Sequence, residues 1–253
     1  MANKEDSGTL IVTGASRGIG AAVASLAARQ GYAVAVNFST GAIEANGVVD
    51  EIVASRGRAV AIQADVSHED QIIRMFETAE RQLGPIKALV NNAGITGGFA
   101  RVESVSAEAI AKVFAVNVAG TILCSREAVR RMSTRRGGSG GAIVNISSRA
   151  AHTGAAGEWV HYAASKGAID SFTIGLAREV ATEGIRVNAV APGLVETGLH
   201  AASGGPGRLQ RLMGTIPMAR AGTPQEVAEG VLWLLSSAAS YTTGAILEIG
   251  GGR

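Results

Sequence analysis

The chain has 253 residues, 47% of them apolar and 17% charged, which is enough to bury a sizeable core and too apolar for disorder. A formal charge of +2 is too small to imply nucleic acid as a partner. A single cysteine, Cys124, excludes an intrachain disulfide framework and fits a reducing compartment.

The opening MANKEDSG is short and charged, with no apolar signal region. No uncharged apolar run reaches the length of about 18 residues that a membrane span needs. A cytoplasmic protein without membrane association is therefore expected. Strand-like and helix-like segments then alternate along the chain. Thr9 to Thr13 is a short apolar run ending at glycine, followed by a helix-like stretch from Ile19 to Gln30. Ala33 to Phe38 is the next run, with helical periodicity up to Arg56. Ala59–Gln63, Ala88–Asn91, Ala142–Ile146, Ile185–Val190 and Ala245–Ile249 follow, separated by helix-like sequence. Apolar runs this continuous predict strands covered on both faces, hence a parallel sheet built from right-handed βαβ units. No linker-like composition divides the chain. The expected fold is one doubly wound α/β domain of the Rossmann type, with about seven strands.

Two further stretches read as ordinary structure. Arg130, Arg131, Arg135 and Arg136 precede a glycine-serine loop and read as a solvated helix end rather than an anion-binding patch. Cys124 lies in an apolar stretch and reads as a buried, inert thiol. Val231 to Leu235 fits either core or an interface.

The first strand leads into Thr13-Gly14-Ala15-Ser16-Arg17-Gly18-Ile19-Gly20. Glycines between a strand and a helix N-terminus let an anion approach backbone N–H groups at the positive end of the helix dipole. The spacing GxxxGxG differs from the common GxGxxG dinucleotide fingerprint. At the end of the second strand, Asn37-Phe38-Ser39-Thr40 carries no carboxylate before Glu44 to hold a ribose 2′-hydroxyl, while Arg17 can pair with a 2′-phosphate. NADP(H) is the preferred cofactor on this reading, and NAD(H) is possible.

Downstream lie Asn91-Asn92-Ala93-Gly94, Tyr162 and Lys166 four places apart, and Pro192-Gly193. With TGASRGIG at 13–20, these motifs in this order resemble the short-chain dehydrogenase/reductase family, over nearly the whole chain from Leu10 to Gly250. The finer resemblance is to bacterial glucose 1-dehydrogenase-like and 3-oxoacyl-[acyl-carrier-protein] reductase-like members. It implies cofactor contacts from Gly14, Ser16, Arg17, Gly18 and Ile19, and from Ser39 after the second strand. It further implies Asp65 and Val66 at the adenine and Asn92, Ala93 and Gly94 at its ribose. Pro192, Gly193, Val195 and Thr197 would face the nicotinamide carboxamide, and Tyr162 and Lys166 would touch the cofactor as well. A homo-oligomer, most often a tetramer, is also implied.

For catalysis the resemblance implies Asn117, Ser148, Tyr162 and Lys166. Ser148 precedes Tyr162 by fourteen residues, one more than the commonest family spacing, so the loop 149–160 carries an insertion and the neighbouring Ser147 competes for the role. On a helix, Tyr162 and Lys166 share a face. An ammonium there stabilises phenolate and makes the phenol a usable acid or base. Ser148 would hold the substrate oxygen, Lys166 the nicotinamide ribose, and Asn117 a water leading from Lys166 to solvent. The expected activity is interconversion of a carbonyl and a secondary alcohol, with a small molecule as substrate. The alternatives are a nucleotide-binding regulator without turnover and an NAD-preferring sugar or alcohol dehydrogenase.

No histidines and carboxylates have metal-ligand spacing, so no metal is expected. His161 reads equally as substrate-facing or as exposed. Glu158 and Trp159 read equally as pocket lining or as a helix-start acid and a packing indole. Specificity is expected in Thr96–Val102, in Ala151–Val160, and between Thr197 and Met213, where His200 to Gly207 has the composition of a lid.

Overall fold

Successive residues of the first strand enter opposite halves of the core: Leu10 and Val12 pack with one apolar cluster, Ile11 with the other. The second strand repeats this with Val34 and Val36 against Ala33 and Ala35. Both faces are covered, which is why these runs are apolar throughout rather than alternating. A computed structural model describes residues 7–198 and 207–253. It has seven strands: β1 (Thr9–Val12), β2 (Ala33–Phe38), β3 (Arg58–Gln63), β4 (Ile86–Asn91), β5 (Gly141–Ile146), β6 (Ile185–Pro192) and β7 (Ile246–Ile249). All pairings are parallel, in the order β3-β2-β1-β4-β5-β6-β7.

One face is covered by α1 (Gly18–Arg29), α2 (Ala42–Ala54) and, from the far end of the chain, the helix Pro224–Leu235. The other carries α3 (Glu69–Leu83), α5 (Thr121–Met132) and α7 (Val160–Val180). Shorter helices are α4 (Ala107–Phe114), α6 (Ala150–Thr153) and α8 (Arg208–Leu212), which makes Pro224–Leu235 α9. The strand order reverses direction between β1 and β4, so a crevice opens at their C-terminal ends, the position where such sheets bind ligands.

The edges depart from the expectation of two covered faces. In β3 both Arg58 and Gln63 are exposed, and in β7 so is Glu248, as suits strands with one neighbour only. β4 begins at Ile86, two residues before the apolar run, because the register slips between Thr9 and Leu10 and passes over Lys87.

The basic run is only partly solvated. Arg131 pairs with Glu127 at 2.7 Å and Glu80 at 2.9 Å, with its guanidinium 5.2 Å from the Phe76 ring centroid. Burial works to raise the Glu127 carboxyl, and Arg131, Arg126 and Arg130 more than offset it, holding the group below the usual carboxylate range. Arg135 and Arg136 remain exposed. Cys124 is fully buried, and that burial drives its thiol well above the ordinary range, so it is inert as expected.

α4 and α5 run together through a widened π turn, Ala115–Gly120. The combined helix Ala107–Met132 is by length and composition apolar enough to cross a membrane. In this fold it lies along the sheet, with Cys124, Ala128 and Met132 in the core. Ile110, Phe114 and Ile122 stay exposed on it, as do Ile174 on α7 and Trp233 on α9. The other apolar residues of the Val231–Leu235 stretch are core.

Candidate active site

The loop after β1 is shaped by its glycines. Gly14 and Gly18 take positive φ, +62° and +59°, a region open mainly to glycine. Arg17 caps α1 with extended backbone and no side-chain cap, and no acid stands in the first turn. The first amides of α1 are thus left for an external anion. Gly14 and Ala15 do not share in this, because their N–H groups donate to the side-chain and main-chain oxygens of Asn37, at 3.1 and 2.7 Å. The amides from Ser16 onward are those a pyrophosphate would meet.

Behind the loop stands the segment following β4. The Asn92 side-chain amide donates to Thr13 O and Gly14 O at 2.9 and 2.8 Å, and Thr13 Oγ1 accepts N–H bonds from Asn92 and Ala93, both at 3.0 Å. Across the crevice, a Cβ built on Gly18 would lie 3.5 Å from Thr197 Cγ2, so the chain after β6 reaches the glycine loop. Gly193 lies so close to Gly250 that a Cβ would stand 2.7 Å from its Cα, which locks the Pro192–Thr197 segment to the turn after β7.

The adenosine corner is more mixed. Arg17 and Ser39 are exposed. The Asp65 carboxylate accepts the N–H and hydroxyl of Ser67 at 2.9 and 2.7 Å. Burial works to raise its pKa, and the Ser67 bonds with the nearby His68 and Lys112 charges hold it below the usual range. Val66 is buried against the π turn, its carbonyl 2.7 Å from where a Gly120 Cβ would sit. Glu44 folds back over Gly41, where a Cβ would lie 3.0 Å from Glu44 Oε2 and 3.7 Å from Ser16 Oγ.

At the far end of the crevice Tyr162 and Lys166 lie on one face of α7, the ammonium 5.7 Å from the phenol ring centroid. Both are buried, and Lys166 Nζ donates to Ile146 O at 2.7 Å. Trp159 is also buried, its ring edge-on to Tyr162 with centroids 6.1 Å apart, so it is a packing indole. Ser147 is buried, its hydroxyl toward Lys166 O at 3.4 Å and beside Asp170. Ser148 is half-exposed, and its Oγ accepts the Ala150 N–H at 3.1 Å, which leaves the hydroxyl proton to donate. Asn117 sits in the π turn with its amide committed: Oδ1 accepts Ile95 N–H at 2.8 Å, and Nδ2 donates to Ile95 O at 2.9 Å and Ser165 Oγ at 3.0 Å. These groups converge on Gly94, where a Cβ would stand 3.4 Å from Asn117 Oδ1 and 3.6 Å from Lys166 Nζ.

A family model described as enoyl-(acyl carrier protein) reductase matches residues 14–253. The chain is 51% identical over 243 residues to the uncharacterized oxidoreductase YgfF of Escherichia coli, covering 96% of this chain and 98% of that protein. It is 37% identical to glucose 1-dehydrogenase 2 of Bacillus subtilis, covering 96% and 93%, and 37% identical to the 3-oxoacyl-[acyl-carrier-protein] reductase of Synechocystis, covering 96% and 95%. The chain belongs to the short-chain dehydrogenase/reductase family. It is an oxidoreductase, of a family that binds nicotinamide cofactors. The glycine loop, with its uncapped helix and open amides, fits such a group.

Three residues that shape this site escape a reading by motif. Asn37 joins the glycine loop to β3, its Nδ2 donating to Ala64 O at 3.0 Å. Asp170, one turn beyond Lys166, has its carboxyl raised chiefly by burial, although Ser147, His152 and Lys166 act the other way. The four-residue step from Lys166 was the only signal for it. Ser165 reveals itself only through its bond to Asn117. The predicted lid falls mostly on residues 199–206, outside the described residues.

Burial pushes Lys166 down to about 8 from 10.5, with Asp170 acting in opposition. The folded protein therefore binds fewer protons than the unfolded chain between these values, and this group adds stability as pH rises through that window. The penalty on the buried ammonium is fully present below about pH 8. Lys166→Met should be favoured over wild type by about 3 kcal/mol more at pH 7 than at pH 10.5. Paired urea melts across this range measure the difference, and a gap independent of pH would contradict it.

Proposed function

We propose that this protein is an NADP(H)-dependent carbonyl reductase that interconverts a small ketone or aldehyde and its alcohol. The observation that carries the reading is the buried Lys166 ammonium held 5.7 Å from the Tyr162 ring centroid, at the end of a crevice that begins in an uncapped, glycine-lined helix N-terminus. Gly14, Ser16, Arg17, Gly18, Ile19 and Ser39 would hold the phosphates and adenosine ribose, with Asp65, Val66, Asn92, Ala93 and Gly94 around the adenine side. Pro192, Gly193, Val195 and Thr197 would hold the nicotinamide. When bound, the cofactor supplies or accepts the hydride.

Ser148 donates a hydrogen bond to the substrate oxygen and steadies the charge that develops there. Tyr162 gives its proton to that oxygen in reduction and takes the alcohol proton in oxidation. Lys166 favours the phenolate that remains and replenishes the proton. Asn117, its side-chain amide spent on Ile95 and Ser165, holds the π turn that closes the base of this proton path. Relatives named for 3-oxoacyl-[acyl-carrier-protein] and glucose point to oxo esters and sugars as the first substrates to try.

The preference for NADP(H) rests on Arg17. Arg17→Ala should weaken NADPH about 10- to 100-fold and NADH far less, measured by fluorescence titration. Equal losses would remove the preference. One observation favours NAD(H): the Glu44 carboxylate stands over Gly41, in the turn after β2, where a carboxylate can serve a ribose 2′-hydroxyl and opposes a phosphate. Tight NADPH binding without turnover over a broad carbonyl and sugar panel would instead indicate a regulator. The exposed Ile110, Phe114, Ile122, Ile174 and Trp233 support a homotetramer, and the lone buried cysteine suits the cytoplasm. Light scattering and cell fractionation test these two points.

A further inference from the structure

His161 precedes Tyr162 in the first turn of α7 and is 6% exposed, yet neither ring nitrogen meets a hydrogen-bond partner among the described residues. Leaving a buried polar group unpaired costs about 1–3 kcal/mol, and native structures hold few such groups. The chain following β4 runs along this end of α7 in the reverse direction. Gly94 abuts Lys166, Gly97 abuts His161, and Ala100 N–H donates to Glu158 O at 3.0 Å. A Cβ on Gly97 would stand 2.8 Å from His161 Nε2 and 2.6 Å from Val113 Cγ2, so the bare backbone of Gly97 is what lets the arch lie on the imidazole.

The arch is fixed at both ends, and beyond Gly97 it is only lightly packed. Ile95 is tied to Asn117 through its N–H and its carbonyl, and Ala100 to Glu158. Gly97 and Gly98 have φ of +78° and +95°, a Cβ on Gly98 would meet nothing within 4 Å, and Phe99 is 55% exposed. A displacement of residues 97–99, with both anchors held, is what would open the ring of His161 to the crevice, on the same helix turn as the phenol.

We propose that His161 is a substrate-recognition residue, which hydrogen-bonds a second oxygen that the substrate carries one or two carbons from the reacting carbonyl. The substrate class is then a 1,2- or 1,3-dioxygenated compound, such as a dione or an oxo ester, rather than a simple ketone. This rests on the carbonyl-reductase reading above.

The test compares kcat/KM for 2,3-pentanedione and 2,4-pentanedione with that for 2-pentanone, in wild type, His161→Leu and His161→Gln, with NADPH. His161→Leu should lower the dione values at least about tenfold more than the 2-pentanone value, and His161→Gln, which keeps a polar hydrogen-bonding end, should recover most of that selectivity. Equal factors on all three substrates overturn the proposal while leaving the reductase reading intact. Wild-type protein that reduces none of them overturns the proposal, and the broad carbonyl and sugar panel then decides the reductase reading separately. Should His161→Leu fail to fold, the imidazole ¹⁵N resonances of His161 in wild type saturated with NADP⁺ decide the matter. They should shift on addition of 2,4-pentanedione and stay put with 2-pentanone, and no difference between the two overturns the proposal.

Discussion

Tyr162→Phe should lower turnover about 1000-fold in both directions, within the range by which a positioned acid or base accelerates proton transfer. The rest of the site should survive. The ring is 8% exposed and held edge-on by Trp159, and phenylalanine fills the same space, so only the hydroxyl is lost. Lys166 keeps its bond to Ile146 O. NADPH affinity should therefore stay within about twofold, so that the loss falls on kcat rather than on binding. Steady-state kinetics and cofactor titration on the same preparation measure both. Retention of more than a few per cent of activity would remove Tyr162 from the acid/base role.

Gly20→Ala should act in the opposite way, removing cofactor binding and stability together. Gly20 does not have positive φ, so the restriction is one of space alone. A Cβ there would stand 2.5 Å from Asn92 Nδ2, 2.6 Å from Gly14 O and 2.9 Å from Ala15 Cα. Two of those three atoms are backbone and cannot swing away. The third is the amide that bonds Thr13 O and Gly14 O, so the methyl would part α1 from its loop. The expected loss is about 3 kcal/mol in a urea melt, in line with overpacking at a close backbone contact. NADPH and NADH should weaken by the same factor, above about tenfold, because the shared pyrophosphate site is what moves. That equality separates this variant from Arg17→Ala, whose effect should fall on NADPH. A stable Gly20→Ala protein with normal affinity would mean that the loop does not depend on this close approach.

Much of the architecture was legible because covering both faces of a strand demands a continuous apolar run. Thr9–Val12, Ala33–Phe38 and Gly141–Ile146 could be read within a residue or so for that reason. The ends of β4 and β6 could not. A register slip over Lys87 lengthens β4, and pairing with β7 carries β6 on to Pro192. Both depend on a neighbouring strand that the local sequence does not contain. The charge of Arg131 was visible and its environment was not, since its partner Glu80 is fifty-one residues away.

For the site, the sequence by itself determined the chemistry available: a glycine turn opening a helix, and a phenol and an ammonium one helical turn apart. These are local facts, fixed by residue type and by a period of about 3.6 residues. Only the tertiary structure decided how they are supported. It turned Ser147 into the core and left Ser148 at the crevice, made Asn37 the brace of the glycine loop, and laid Gly97 on a buried His161 that has no hydrogen-bond partner among the described residues. Each of those outcomes depends on groups tens of residues apart meeting at the ends of neighbouring strands. Burial, and with it the depressed affinity of Lys166 for its proton, exists only once the sheet and α7 have closed around the ammonium.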